Sequence, residues 1–529
     1  MTGDVTTPSD LAPLKKPLIE AVINAYFRKA TIFAEGDAAG DGSVAPLLES
    51  RSGSCKDGRF DFRFTLYNPD NPMASTGHNI YVSYPDGKWR EDVSMWFDHD
   101  TDGPFDAKAK FAEITDMVST WIDPFINGHS PNEFTNQIAA VSAIVDQLYV
   151  QDEVRIGDNP VSPKPEEGKT SVPVSDIQSC IADMKTEIGD LSGLAIDALE
   201  RAYTNDVGLT ISGQRAMAIV AGLALTGEAA AWNGAYGDLK TFYGNATTDF
   251  NSFAESHGAS GQGTQQTLSV ISGVATVATG ATAAFPPASG TFGVIAGVAS
   301  IGAALWPTEE AVKPTEIVLK GGSFDEYFTS FTESVRAVDA ELTNAEQCLG
   351  TMCTRMLEDV SNFPDAFSIG ARRPDKTGQQ EKDYLDLQRF LDANQSSPNS
   401  ELYAGTEINI VHTKLKNTAG MIEAVGDHQR AVAGKLGGTG SDGAPAALVK
   451  SEWSRESLNG VFLGSSYYGH YDSYEALVDG LIDLLVQEAG TAHRVAEHAY
   501  DISTDFSKTD QQREKELDAM AKKLDTVPG

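Results

Sequence analysis

The chain has few cysteines and few cations. Its 529 residues include four cysteines, Cys55, Cys180, Cys348 and Cys353, which are too few for a disulfide scaffold and lack metal-ligand spacing. Lysine and arginine number 40 against 75 aspartates and glutamates, which gives a net charge of −35. Because phosphate binding needs clustered cations, this deficit argues against nucleic acid as a partner.

Recognisable catalytic motifs are also missing. The sequence has no Gly-rich phosphate loop, no GxSxG motif and no Cys/His pair beside a plausible base. We therefore expect a protein that is not an enzyme. Its first residues lack the apolar core of a signal peptide, so we expect secretion without a Sec-type signal, or release from the cytosol.

One long stretch lacks charge altogether. Residues 256–308 contain no Asp, Glu, Lys or Arg, although 22% of the chain is charged. Two apolar legs, Leu268–Phe285 and Thr291–Trp306, flank a Pro-Pro and Ser-Gly breaker, which predicts a hairpin. As helices, the legs would each be about 25 Å long. That length is close to the ~30 Å hydrocarbon core of a bilayer.

The hairpin has two interpretations at this stage. Legs rich in Ala, Gly and Thr are also typical of a core hairpin that stays buried in a large bundle. In either case the hairpin must be covered in water, because soluble monomers rarely expose an apolar patch of this size. At ~25 cal/mol per Å² of apolar surface, covering it is worth many kcal/mol. Release would therefore need a trigger such as a receptor, a lipid surface, a partner subunit or a pH drop.

Both legs carry side chains that we predict to enter a membrane. The predicted inserting residues are Leu268, Val270, Ile271, Val274, Val277, Phe285, Phe292, Val294, Ile295, Val298, Ile301, Leu305 and Trp306. Small residues let helix backbones approach closely in lipid. The predicted helix-packing positions are Gly280, Gly293 and Gly297, of which the last two form a GxxxG motif.

The remaining sequence divides by pattern. Residues 1–150 predict a smaller α+β domain for recognition or masking, because segments such as Arg59–Tyr67 and Asn79–Tyr84 alternate as strands do. Residues 151–173 are rich in proline and charge and predict a linker. Residues 174–527 then change to long helical repeats.

The helical repeats predict the fold class. Apolar residues with 4-3 spacing keep one stripe facing a partner helix along its length. The fold class is therefore mainly α, an elongated antiparallel helical bundle with an inserted apolar hairpin at 268–306, plus the smaller N-terminal α+β domain. The predicted stripes run from Ile177 to Ala202, from Phe324 to Met356 and from Tyr474 to Phe506, the last with Glu488 as a polar interruption.

An Asp-rich turn is the one candidate cation site. Asp98, Asp100 and Asp102 match the DxDxDG start of a calcium loop, and Asp106 occupies its ninth position. The twelfth position is Ala109 instead of the expected Glu. Calcium is thus the candidate cofactor, and an ordinary acidic turn without a metal is the alternative.

A second motif lies in the predicted helix Ser212–Phe253. Trp232-Asn233-Gly234 resembles the WXG family of type VII secretion substrates, whose helical hairpins turn at such a motif. The resemblance covers at most residues 174–256 and 460–527. It implies that Trp232 and Gly234 form a secretion-type motif. It also implies a structural or assembly role with a permanently buried hairpin.

Long helices around an apolar hairpin also resemble the α-helical pore-forming toxins of the cytolysin A and haemolysin BL kind. This resemblance is architectural and covers residues 174–526. It implies a soluble protomer that meets a target membrane, unmasks residues 268–306 and assembles into a pore. The implied partners are a lipid membrane and further copies of the chain or a second toxin-like subunit.

Overall fold

The protein is described by a computed structural model. The described residues are 5–29, 31–33, 47–67, 78–84, 90–93, 107–150, 154–156, 159–161, 175–189, 191, 196, 199–255, 261–278, 301, 304–306, 315–369, 411–437, 455–456, 466–467 and 469–524.

The described residues are mostly helical, with a small strand-containing region near the N-terminus, so the predicted fold class is confirmed. The helices are α1 (Pro8–Lys29), α2 (Ala107–Ile126), α3 (Thr135–Gln147), α4 (Asp176–Ile188), α5 (Val207–Glu255), α6 (Val270–Ala278), α7 (Phe324–Asn362), α8 (His412–Leu436) and α9 (Tyr471–Leu524). The strands of the N-terminal sheet are β1 (Thr31–Phe33), β2 (Leu47–Lys56), β3 (Arg59–Tyr67), β4 (His78–Tyr84) and β5 (Arg90–Val93). Short strands follow as β6 (Val154–Ile156), β7 (Asn159–Val161), β8 (Gly261–Gln262), β9 (Gln266–Thr267), β10 (Glu316–Ile317), β11 (Lys320–Gly321), β12 (Arg455–Glu456) and β13 (Ser466–Tyr467).

The N-terminal sheet is an antiparallel meander in the order β1-β2-β3-β4-β5. Asp57 and Gly58 both have positive φ, 53° and 77°, at the tight turn between β2 and β3. Such a turn matches the twist of the strands it joins. Phe60 and Phe62 point from β3 onto Phe27 of α1, with ring centroids 5.0 and 5.3 Å away. The apolar alternation of β3 is therefore explained by packing on α1.

The N-terminal elements share a core with the long helices. Thr6 donates its backbone N–H to Oδ1 of Asn233 at 2.8 Å, and the amides of Asn24 and Asn251 meet at 3.2 Å. These contacts lay α1 along α5. Tyr243 of α5 also donates to the carbonyl of Trp121 in α2 at 3.3 Å. The division at residue 150 stays a prediction, but the two parts are packed together and not merely tethered.

Helix α5 lies at the centre of the bundle. It has 49 residues, a length of about 74 Å at 1.5 Å per residue. The side chains from Gly213 to Trp232 are all buried, so this half of the helix has no solvated face. A helix that is apolar on all sides is a core helix in a large protein. Its burial explains why the segment shows no amphipathic period.

Helix α7 packs antiparallel to α5. Tyr327 stacks on Phe253 with centroids 4.6 Å apart, and Phe331 stacks on Phe242 at 5.6 Å. Further along, Leu349 lies against Gly227, so residue numbers rise along α7 where they fall along α5. The predicted stripe of α7 is confirmed, because its residues are all buried: Phe324, Phe328, Phe331, Val335, Val338, Leu342, Ala345, Leu349, Met352 and Met356.

The other stripes are confirmed in part. Ser175 caps α4 by accepting the N–H of Gln178 at 3.0 Å. The continuous stripe from Ile177 to Ala202 is wrong, because α4 ends at Ile188 and Gly189 follows as its C-cap. Helices α8 and α9 pack antiparallel, with Ser503 donating to the carbonyl of His412 and His493 lying 3.0 Å from Asp427.

Candidate functional site

The uncharged stretch of the sequence is attached to the bundle through a narrow β connection. Residues 268–306 are called the apolar segment from here on. Strand β8 pairs with β11, and β9 pairs with β10, both antiparallel. These two ribbons, which we call the neck, join the end of α5 to the start of α7. Leu268 extends the neck by donating its N–H to the carbonyl of Thr315 at 2.9 Å. The apolar segment is thus an insertion between two long antiparallel helices.

The first leg begins as α6 and packs on α5 and α7. A Cβ added to Gly234 of α5 would lie 3.0 Å from Cα of Val270. Real side chains rarely approach so closely, so a glycine at this position lets the two backbones meet. Ser272 is exposed on the opposite side of α6. The described part of α6 therefore lies on the flank of the α5–α7 pair and is not threaded between helices.

Asp238 of α5 holds the N-terminal end of the apolar segment. Its carboxylate accepts the backbone N–H of Ser269 at 2.6 Å and the Ser269 hydroxyl at 2.9 Å. A carboxylate at this place satisfies N–H groups that α6 leaves without helical partners. Burial raises the pKa of Asp238 to about 6, and hydrogen bonds from Ser269 partly oppose that shift. The negative charge of Glu341 on α7 raises the pKa of Asp238 further.

Glu341 and Arg355 of α7 hold the other end. Oε1 of Glu341 accepts the backbone N–H of Thr315 at 2.6 Å, just before β10. Arg355 donates to the carbonyls of Leu305 and Trp306 at 2.9 and 3.2 Å. A guanidinium that donates to two consecutive carbonyls fixes the direction of the chain there. Both ends of the apolar segment are therefore anchored by charged side chains of the long helices.

The structure describes some of the predicted inserting residues and not others. Those that it describes with their side chains are 0–9% exposed: Leu268, Val270, Ile271, Val274, Ile301, Leu305 and Trp306. Val277 lies in α6, and its side chain is not described. The rest lie outside the described residues: Phe285, Phe292, Val294, Ile295 and Val298, together with the packing positions Gly280, Gly293 and Gly297.

The turn implied at Trp232 and Gly234 is wrong. Helix α5 continues from Val207 to Glu255 without a break, so the two residues lie within one helix. Trp232 is 1% exposed and donates Nε1–H to Glu228 one turn earlier at 3.0 Å. Gly234 serves the close approach of Val270 and not a turn between helices.

A buried charged cluster escaped the sequence analysis. Oε2 of Glu228 lies 3.2 Å from Nδ1 of His470, and these side chains are 0% and 1% exposed. Glu346 is also buried, and a Cβ on Gly469 would lie 3.1 Å from its Oε1. Gly469 has φ +56°, a region that favours glycine. A lone glutamate among alanines in an apolar helix was the one available signal for this cluster.

An open polar cavity of about 570 Å³ borders this cluster. Its wall includes Glu346, Glu358, Arg355 and His470. Among the described residues, no group of three His, Cys, Asp or Glu side chains is placed to hold a metal ion. The predicted calcium residues Asp98, Asp100, Asp102 and Asp106 lie outside the described residues. Calcium therefore stays a prediction for that turn.

One described helix, α5, is long and apolar enough to cross a membrane, but 94% of its most apolar window is buried inside the protein. Core helices of soluble proteins meet the same criterion, so α5 alone carries no membrane argument. No protein-family model, curated protein or solved structure matches this chain.

Proposed function

We propose that this protein is membrane-active, and that it releases the apolar segment from the flank of its bundle to insert it into a target membrane and oligomerise as a pore. The observation that carries the proposal is the way the segment is attached. The chain leaves the bundle for this segment at the neck between α5 and α7, and polar contacts from the long helices hold the chain on both sides of it. A core hairpin needs no such separation from the helices that flank it.

The packing of α6 allows release without global unfolding. This helix packs on α5 and α7, with Ser272 exposed on its other side. Undocking α6 breaks the Asp238 contacts and uncovers Val270, Ile271 and Val274, while α5 and α7 still hold each other through stacked aromatic rings. The cost is the burial of these side chains, each worth about 1.5–3 kcal/mol. Burial of the same side chains in the hydrocarbon core of a bilayer compensates for that free energy.

Oligomerisation follows from the surface that release leaves behind. Removing α6 uncovers the part of α5 around Gly234 and Asp238, and it also frees the apolar side chains of α6 that are buried in the docked form. An exposed apolar patch of this kind favours contact with another protein surface. The proposed partners are therefore a lipid membrane and further copies of this chain, or a second toxin-like subunit.

A reversible disulfide tests whether the segment must move. The side chains of Asp238 and Ser269 face each other, with Oδ1 and Oγ 2.9 Å apart, so we choose the variant Asp238→Cys/Ser269→Cys, and loss of both free thiols on oxidation shows that they bridge. We expect the oxidised variant to leave dye-filled phosphatidylcholine vesicles intact and dithiothreitol to restore release. The single-cysteine variants are the controls, and neither should respond to dithiothreitol. Equal dye release by the oxidised and reduced forms would refute the proposal.

A charge on the exposed side of α6 separates insertion from folding. Ser272 is exposed, so Ser272→Asp leaves the docked form intact but places a carboxylate on the inserting leg. A charge at the bilayer centre costs about 2.5–3.5 kcal/mol on insertion scales. We expect at least tenfold slower dye release with unchanged thermal unfolding. Thr241→Asp, at an exposed position of α5, is the matched control and should release dye at the wild-type rate.

The second candidate is a WXG-type helical protein with a structural or assembly role. The near-complete burial of the described segment residues, 0–9% exposed, favours this candidate. It predicts that Ser272→Asp and the oxidised disulfide have no functional effect. It also predicts that Trp232→Ala and Gly234→Ala reduce secretion by a type VII system, since these residues would form its signal. Secretion assays with the two variants therefore separate the candidates.

A further inference from the structure

Two buried carboxylates on neighbouring helices bind the chain where it leaves the neck for the apolar segment and where it returns to the neck after it. Asp238 of α5 binds the start of the segment at Ser269, and Glu341 of α7 binds the chain where it re-enters the neck at Thr315. They are 6% and 5% exposed, respectively. We call these two side chains the clasp. The N–H of Ser269 loses its partner Asp238 if α6 leaves, whereas Thr315 lies in the neck, where Glu341 holds it beside Asp238.

The clasp lacks a compensating cation. The charged group that acts on Asp238 from α7 is Glu341, which has the same sign. From the apolar segment, Asp238 receives only hydrogen bonds, from Ser269 and Val270, while Gln266 of β9 donates to its backbone carbonyl. No lysine or arginine of the described residues shifts its pKa. Oε2 of Glu341 is buried without a hydrogen-bond partner among the described residues. The like charge of Glu341 therefore adds to the burial that disfavours ionisation of Asp238.

We propose that the clasp makes docking of the apolar segment proton-dependent, with protonation tightening the docked state, so that release is favoured as the pH rises. This inference concerns the regulation of the proposed membrane function and rests on it only for its biological meaning. The docking equilibrium itself exists in solution and is measured there.

The sign of the pH effect on docking follows from the difference in the pKa of Asp238 between the docked and the released forms. In the docked form burial raises the pKa of Asp238 to about 6 from the ordinary value of 3.8. In the released form Asp238 lies on the surface of α5 and returns toward that ordinary value. The docked form therefore binds the proton more tightly, and docking strengthens as the pH falls through 6. Between pH 7 and pH 5 the docking constant should rise roughly tenfold. Among the expected triggers, a pH drop is thus opposed by Asp238.

The experiment measures how often α6 opens in buffer. Val274 is 0% exposed, so a thiol in Val274→Cys reacts with a maleimide only when α6 leaves the bundle. Ser272→Cys, on the exposed side of the same helix, gives the intrinsic labelling rate at each pH, and the ratio of the two rates cancels the titration of the thiol. Site-resolved mass spectrometry separates both from the native cysteines. We expect the ratio to fall about tenfold from pH 7 to pH 5.

Two variants assign the effect to the clasp. Asp238→Asn keeps an acceptor for Ser269 but removes the titrating group, so the ratio should no longer depend on pH. Glu341→Gln keeps the acceptor for Thr315 and removes the repulsion, so the pH dependence should shrink. A wild-type ratio that rises on acidification, or an Asp238→Asn ratio that keeps the wild-type dependence, would overturn the inference.

Vesicles separate this inference from the proposed function. Suppose that the labelling ratio changes with pH as expected but phosphatidylcholine vesicles never leak. The proposal of pH-dependent docking is then supported, and the proposal of pore formation is refuted. If vesicles leak and Asp238→Asn leaves the pH dependence of labelling unchanged, pore formation is supported and pH-dependent docking through the clasp is refuted. Zwitterionic lipid is used because it avoids a change in lipid charge over this pH range.

Discussion

Glu228 and His470 meet inside the bundle, with Oε2 and Nδ1 3.2 Å apart and neither side chain exposed by more than 1%. They join the central helix α5 to the turn that starts α9, although 242 positions separate them. Trp232 completes the contact by donating to the other carboxylate oxygen at 3.0 Å. The pair therefore fixes the register of α9 against α5 with polar contacts in an otherwise apolar core.

Removing one partner of the Glu228–His470 pair should lower the free energy of unfolding. His470→Leu leaves Oε2 of Glu228 buried without the histidine while Trp232 still donates to Oε1, and an unsatisfied buried polar atom costs about 1–3 kcal/mol. The double variant Glu228→Met/His470→Leu replaces the whole pair by apolar groups and should recover most of that loss. Urea unfolding followed by circular dichroism measures both. Equal loss in the single and double variants would show that the pair contributes nothing beyond the volume of its side chains.

Substitution of Gly234 by alanine should weaken the docking of α6, unlike the same substitution at other glycines of α5. In Gly234→Ala the new Cβ lies 3.0 Å from Cα of Val270, so α6 must shift away from α5. We expect a higher labelling ratio at Val274→Cys, by about fivefold, which corresponds to about 1 kcal/mol of docking.

Gly237→Ala and Gly244→Ala are the matched controls for that change. Nothing lies within 4 Å of a Cβ at either position. Alanine there should stabilise α5 by about 0.5–1 kcal/mol, since glycine is a poor helix former. If all three variants raise the stability of the protein and leave labelling unchanged, close packing at Gly234 does not control α6.

Much of this fold could be predicted from local pattern. The stripe of α7 follows from 4-3 spacing, because its apolar residues are all buried along one helix, and β3 was predicted with its observed bounds Arg59–Tyr67. Ser175 and Ser323 cap α4 and α7 by accepting backbone N–H groups three residues further along the chain. These features depend on residues within one or two turns of each other, which the sequence displays directly.

The candidate site could be predicted only in outline. The uncharged stretch indicated an apolar segment, but the position of Asp238 beneath it depends on how α6 docks along α5. Gly189 ended α4 although the apolar spacing continued past it. At Trp232 the motif suggested a turn, whereas burial on all sides favours an unbroken helix. Contacts between residues far apart in the chain decided each of these points.

The four cysteines should differ in reactivity. Burial raises the pKa of Cys55 and of Cys353 to about 12, and it also raises the pKa of Cys348. These three thiols are buried and free, whereas Cys180 on α4 is only partly buried. At pH 8 we expect iodoacetamide to modify Cys180 first, at least tenfold faster than the others, as read by peptide mass spectrometry. Fast modification of Cys353 in the folded protein would contradict the packing of α7.

The neck should depend on Ser330 of α7. Its hydroxyl donates to the carbonyl of Val318 at 3.0 Å and accepts the N–H of Lys320 at 3.2 Å, so it ties β11 to the helix. Ser330→Ala leaves both backbone groups without this partner, which costs about 1–3 kcal/mol. Hydrogen exchange at the Lys320 amide should therefore accelerate by at least fivefold.

Ser334→Ala is the matched control for the neck. Ser334 lies one turn further along α7, is similarly buried and donates only to the carbonyl of Ser330 within the same helix. Its loss should leave exchange at Lys320 unchanged, because no bond to the neck is removed. Since the neck holds the chain on both sides of the apolar segment next to α5 and α7, Ser330→Ala should also raise dye release from vesicles, whereas Ser334→Ala should not. Faster exchange without a change in dye release would separate loosening of the neck from release of the segment, and it would place control of release with Asp238 and Glu341 instead.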